Sequence, residues 1–76
     1  MKKRNRKREV LTIDLPEYWA GFLINNDASN MEEEEITQCL QAVKDLGYCV
    51  QVSDDSYFAT YKGIGHTMAT YTFIKN

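Results

Sequence analysis

Between residues 15 and 46, apolar side chains recur twice at the three-and-four spacing of a helical face, separated by one polar break at Asn25, Asn26 and Asp27. The first series is Leu15, Tyr18, Trp19, Phe22 and Leu23. It begins beside Pro16, the only proline, whose preset φ and missing N–H cost nothing at a helix start, and Glu17 favours the positive end. A helix is predicted from Pro16 to near Asn25, where side chains that bond their own backbone stop it. The second series, Ile36, Cys39, Leu40, Val43 and Leu46, predicts a helix that ends at Gly47. Ser29 with Glu32, or Asn30 with Glu33, has the spacing of its capping box.

Alternating segments flank the helices. Residues 10–14 place Leu11 and Ile13, with Leu15, on one face and Val10, Thr12 and Asp14 on the other, the pattern of a half-buried strand. Residues 48–53 alternate again, which predicts Tyr48, Val50 and Val52 together against the helices. Residues 68–74 are dense in β-branched and aromatic side chains and suit the centre of a small sheet. The aromatics at Tyr57, Phe58 and Tyr61, followed by Gly63 and Gly65, read as a loop that packs back. The expected order is β-α-α-β-β in an α+β domain. Its three-stranded sheet pairs the last two strands antiparallel and carries both helices on one face, with the place of the first strand open.

The chain has 76 residues, 43% of them hydrophobic and 12% aromatic, which is enough for one folded domain over residues 9–76 and too little for a second. Such a core lies near the lower limit of self-sufficiency, and a homodimer would add burial. Trp19 is expected in this core, with Tyr18 and Tyr57 as surface anchors. Cys39 and Cys49 lack redox or metal spacing and read as reduced, buried thiols, which together with the absence of a membrane-length apolar run predicts a cytosolic protein.

The formal net charge of −2 hides a division. Lys2, Lys3, Arg4, Arg6, Lys7 and Arg8 make residues 1–8 a basic arm, expected to be disordered in the free protein. From Glu9 onward three lysines face eleven acids, a net −8. The arm could neutralise about six phosphates. No helix, however, carries a row of base-reading side chains, and the aromatics sit at core spacing. The acidic run Glu32, Glu33, Glu34 and Glu35 supports a helix N-terminus. With Glu17, Asp27, Asp54 and Asp55 it also offers carboxylates that imitate phosphates to a basic groove.

Enzyme signatures are weak. His66, between Gly65 and Thr67, reads as a solvated loop histidine, and a small enzyme built on it with Asp54 or Asp55 is the least favoured reading. Gly63 and Gly65 do not form a phosphate cradle. No cofactor and no metal site is expected.

Leu15-Pro16, Tyr18-Trp19-Ala20, Leu23-Ile24-Asn25, Asp27-Ala28-Ser29, Glu35-Ile36 and Tyr71-Thr72-Phe73 together resemble a family of short proteins carried by phages, plasmids and conjugative elements. The resemblance covers residues 13–74 and excludes the basic arm. It implies a setting: small non-enzymatic proteins of mobile elements that inhibit host defence, of the anti-restriction or anti-CRISPR type, often by nucleic-acid mimicry. It assigns no residue a role. The expectation is therefore a binding module whose partner is a host protein with a basic nucleic-acid-binding groove, met by Glu17, Asp27, Glu32, Glu33, Glu34, Asp54 and Asp55. The alternative is an accessory protein that holds DNA or RNA through Lys2, Lys3, Arg4, Arg6, Lys7 and Arg8.

Overall fold

The computed structural model describes residues 9–75, and the basic arm lies outside them. Strand β1 spans Glu9–Pro16, a 3-10 turn Glu17–Trp19, helix α1 Ala20–Asn25 and helix α2 Glu33–Val43. Strands β2 (Tyr48–Val52), β3 (Tyr57–Tyr61) and β4 (Ile64–Lys75) complete an α+β domain whose strand pairs are all antiparallel.

The sheet is organised on β4, as its dense apolar alternation predicts. Tyr71 pairs with Ile13 on one side and Val52 on the other, while Met68 pairs with Pro16 and Tyr57. Strand β1 therefore takes one edge of β4, and β2 and β3 follow each other along the opposite edge. The sheet has four strands where three were expected, yet it is only three strands wide. The additional strand is the segment read as a loop. Tyr57, Phe58, Thr60 and Tyr61 have strand-forming side chains, and Lys62 and Gly63, at φ 52° and 83°, close a two-residue hairpin of the type that needs positive φ twice.

Pro16 is the last residue of β1 and not the first of a helix, with φ −55° and ψ 133°. The predicted first helix is thus a 3-10 turn continued by a short α1. It stops where expected: Asn26 takes φ 58°, its N–H donates to the Phe22 carbonyl (2.9 Å), and the Asp27 N–H donates to the Gly21 carbonyl (3.0 Å). Helix α2 begins later than either Ser-Glu or Asn-Glu spacing suggests. Glu32 is its N-cap, and the Glu32 N–H donates to Glu35 Oε1 at 3.1 Å. The helix also ends a turn early, at Val43, with a turn leading to Gly47.

Leu15, Trp19, Cys39, Val43, Ala69, Tyr71 and Phe73 form the buried core between the helices and one face of the sheet. Trp19 is in it as predicted, and both cysteines are free thiols, Cys39 buried and Cys49 partly so. Two apolar expectations fail. A register shift between Cys49 and Gln51 leaves Val50 without a β4 partner, so Cys49 and Val52 turn inward while Tyr48 and Val50 face outward. Leu40 is also exposed, because Cys39 and Val43 already fill the contact face of α2.

Met68 and Ala69 are consecutive strand residues, so they point to opposite faces, and both are buried. Both faces of the sheet are thus covered at this level. Toward the hairpin the covered face is the one that carries His66 and Tyr61, and this change of face creates the site described next.

Candidate acidic and aromatic groove

An open groove of about 1010 Å³ lies between α2, along its length from the first turn to Gln41, and the tip of the β3–β4 hairpin. One wall carries Glu32, Glu33, Glu34 and Glu35; the other carries Tyr61, Lys62, Ile64 and His66; Tyr18 and Trp19 lie between them. Sequence order explains the meeting. The 3-10 turn leaves β1 beside Met68 and runs against the hairpin, and α2 then returns to place its acidic start next to Tyr18.

The aromatic side is a packed cluster. The His66 ring stacks on Tyr18 with centroids 5.7 Å apart and planes at 24°. Tyr61 stands edge-on to both Trp19 (5.5 Å, 89°) and His66 (6.3 Å, 71°), the arrangement that ring quadrupoles favour. Lys62 Nζ lies 5.8 Å from the Tyr61 ring centroid. Among the described residues the buried Trp19 Nε1 has no hydrogen-bond partner.

Glu35 joins the two walls. Its Oε2 accepts the Tyr18 hydroxyl, and its Oε1 accepts the Glu32 N–H. These two bonds hold the Glu35 carboxyl below its ordinary range, with His66 a lesser influence. Burial, helped by the bond to Glu35, pushes the Tyr18 phenol up. Glu35 is consequently occupied in holding the structure together. Glu32, Glu33 and Glu34 are exposed, and among the described residues no ion pair occupies them. The Glu32 side chain accepts the Glu35 N–H as the other half of the capping box. The carboxylates of Glu33 and Glu34, beside aromatic faces, can accept N–H bonds from a guanidinium or ammonium group and stack its apolar stem.

Of the seven acids expected to form one surface, Glu32, Glu33 and Glu34 line the groove; Glu17, Asp27, Asp54 and Asp55 do not. Glu17 opens the 3-10 turn and is exposed. Asp27 accepts the Ser29 N–H at 3.1 Å, a local turn that draws its carboxyl below the usual range. Asp54 and Asp55 lie between β2 and β3. There Ser53 Oγ donates to the Asp55 carbonyl and accepts the Thr70 N–H. Thr70 Oγ1 in turn donates to Asp14 Oδ1 at 2.7 Å, and none of Asp14, Asp54 and Asp55 lines the groove.

His66 is in a strand and not in a loop. It lies four residues along β4 from Thr70, roughly 13 Å at strand spacing, and so its neighbours are Tyr18, Tyr61 and Glu35 instead of Asp54 or Asp55. Sequence reasoning missed Glu35, Tyr61 and His66 as groove residues. The available signal was the positive-φ pair potential of Lys62-Gly63, which marks a hairpin and thereby puts His66 opposite Ala59.

Cys39 is shielded from any such site, and burial, with Cys49 as a lesser cause, pushes its thiol up to about 11. Among the described residues no group of three or more His, Cys, Asp or Glu is placed to hold a metal ion, and no helix is long and apolar enough to cross a membrane. No family model, no curated protein and no solved structure matches the chain, so its site is read from its own geometry.

Proposed function

We propose that this protein is a non-enzymatic binding module that inhibits a host defence protein, of the anti-restriction or anti-CRISPR type, in the cytoplasm. The observation that carries this reading is the grouping of Glu32, Glu33 and Glu34, exposed, on one wall of a groove whose other wall is aromatic. The partner is a protein with a basic nucleic-acid-binding groove. Its arginines and lysines meet the three carboxylates in place of phosphates, and occupation of its groove is the inhibitory act.

The contact is narrower than the acidic composition suggested. Glu32, Glu33 and Glu34 are its centre, and Asp14, Asp54 and Asp55, outside the groove, steer a basic partner from a distance. Exposed charges act mainly on the rate of encounter, so association is fast at low salt and slows as salt rises.

The test is affinity capture from a nuclease-treated host lysate with three baits: the wild type, Glu33→Lys with Glu34→Lys, and a chain lacking residues 2–8. A restriction or CRISPR enzyme retained by the wild type and the truncated chain, lost from the double variant and displaced by duplex DNA, supports the reading. Capture that survives the double charge reversal ends it. Retention that needs residues 2–8 and disappears with nuclease would instead identify an accessory protein bound to nucleic acid through its basic arm.

A further inference from the structure

Strand β1 is an unguarded edge. Its register with β4 runs without a break from Glu9↔Lys75 to Pro16↔Met68, and no other described strand pairs with its far side. The opposite edge of the sheet is bulged between Cys49 and Gln51 and interrupted over residues 53–56, so it presents no long row of aligned backbone groups. Sheets protect such edges with lysines, prolines, bulges or short strands. Strand β1 has eight residues, no bulge, no lysine and no proline before its last position. Asp14, its one charge away from the ends, is held across the sheet by Thr70 Oγ1 and the Tyr57 hydroxyl.

We propose that β1 pairs antiparallel with β1 of a second copy about a two-fold axis at Thr12, and that this pairing delivers the cations of residues 2–8 of each copy to the acidic groove of the other. The register follows from two constraints. Directly opposed residues must face the same side of the sheet, so the axis passes through a residue and not between two. Pro16 has no N–H to give, and centring on Thr12 pairs residues 9–15 while leaving Pro16 out. Leu11 then meets Ile13 of the second copy on the helix-bearing face. Both are only partly buried in the single chain and cover each other in the pair.

The same register sets Glu9 of one copy opposite Leu15 of the other, one residue before Pro16 and the turn into Glu17 and Tyr18 at the groove, and residues 2–8 lead on from Glu9. Six cations in residues 2–8 thereby approach Glu32, Glu33 and Glu34. The arm of the same chain is badly placed for this contact. It starts at Glu9, the far end of β1, and must travel back about 23 Å, which consumes about seven extended residues. Charge complementarity thus selects the arm as occupant, and reach selects the second copy's arm over the chain's own. The groove contact rests on the cation-binding reading proposed above; the strand pairing does not.

Sedimentation equilibrium of the full chain at low and high salt tests the pairing. The expected result is a dimer that weakens with salt, because charged contacts between arm and groove are screened. Thr12→Lys and Thr12→Glu each oppose two like charges at the axis. Both should raise the dimer dissociation constant about tenfold or more with an unchanged circular dichroism spectrum. A monomeric wild type, or a dimer indifferent to both substitutions, overturns the proposal. The groove contact is tested by carbodiimide cross-linking of a mixture of light and 15N-labelled full chains. Lys3 or Lys7 joined to Glu33 or Glu34 in pairs of mixed isotope is the expected product. Cross-links found only within single chains, or away from these glutamates, overturn it. Neither readout involves a host partner, so failure here and failure of the inhibitor reading are separate results.

Discussion

The Tyr71 hydroxyl donates to the Pro16 carbonyl at 2.5 Å and lies 3.1 Å from that of Glu17, tying the centre of β4 to the point where β1 becomes the 3-10 turn. The Tyr71 ring is fully buried, and the bond fixes the direction in which the chain leaves the sheet toward Tyr18. Tyr71→Phe preserves the packing but removes the donor from a buried carbonyl. It is expected to cost about 1–2 kcal/mol in urea unfolding.

Burial holds the Tyr71 phenol protonated well above its ordinary value of 10.0. A folded-state pKa raised in this way gives stability that is complete below the unfolded value and lost as pH rises past it. The protein should therefore lose stability above about pH 10, and Tyr71→Phe should flatten that limb of the pH–stability curve.

Asp14 and Glu35 work in the opposite direction. Tyr57 and Thr70 bonds lower the Asp14 carboxyl from 3.8, and Tyr18 and Glu32 bonds lower that of Glu35 from 4.5. Their stabilisation is present above those values and is lost as pH falls through the lowered folded-state pKa values. Tyr18→Phe should return Glu35 toward its ordinary value, which carboxylate chemical shifts followed through an acid titration will show directly. An unmoved Glu35 titration would show that the Tyr18 bond does not form in solution.

Two glycines with similar backbone angles should respond differently. Gly47 has φ 95°, and a Cβ there would lie 2.2 Å from the Ile74 carbonyl oxygen, a backbone atom that cannot move aside. Gly63 has φ 83° with open space around it. Gly47→Ala is expected to cost more than about 2 kcal/mol. Gly63→Asn should cost less than about 1 kcal/mol, because asparagine tolerates the hairpin conformation. Thermal unfolding of the two variants side by side decides this.

The class of the fold was legible because it depends on periodicity. The stripes of Leu15 to Leu23 and Ile36 to Val43, and the density of residues 68–74, each point to one face. What stayed hidden were events of one or two residues. Pro16 can start a helix or end a strand, and only its pairing with Met68 decides. The bulge at Val50 reverses the faces of the first half of β2, turning Tyr48 and Val50 outward while Val52 stays inward, without altering its composition. The site was legible in part for the same reason: Glu32, Glu33 and Glu34 announce themselves by charge. His66 and Tyr61 join them only through the hairpin, and nothing local in the chain says that a 3-10 turn will lie against it.

Glu35 separates structural from binding carboxylates. Glu33→Gln with Glu34→Gln removes two first-turn charges from exposed positions that make no side-chain hydrogen bond among the described residues, so the unfolding midpoint should fall only slightly, through the weakened helix start, while partner capture falls sharply. Glu35→Gln retains one acceptor but loses the charge that strengthens the bonds to Tyr18 and to the Glu32 N–H. It should lower the unfolding midpoint and loosen the stack of His66 on Tyr18, seen as a change in the ring-current shifts of His66. If the double variant unfolds as early as Glu35→Gln, the acidic run is chiefly a helix start, and the groove loses its claim to be a binding surface. If the double variant keeps its stability and loses its partner, Glu33 and Glu34 are free to serve recognition, because the capping pair Glu32 and Glu35 carries the structural task.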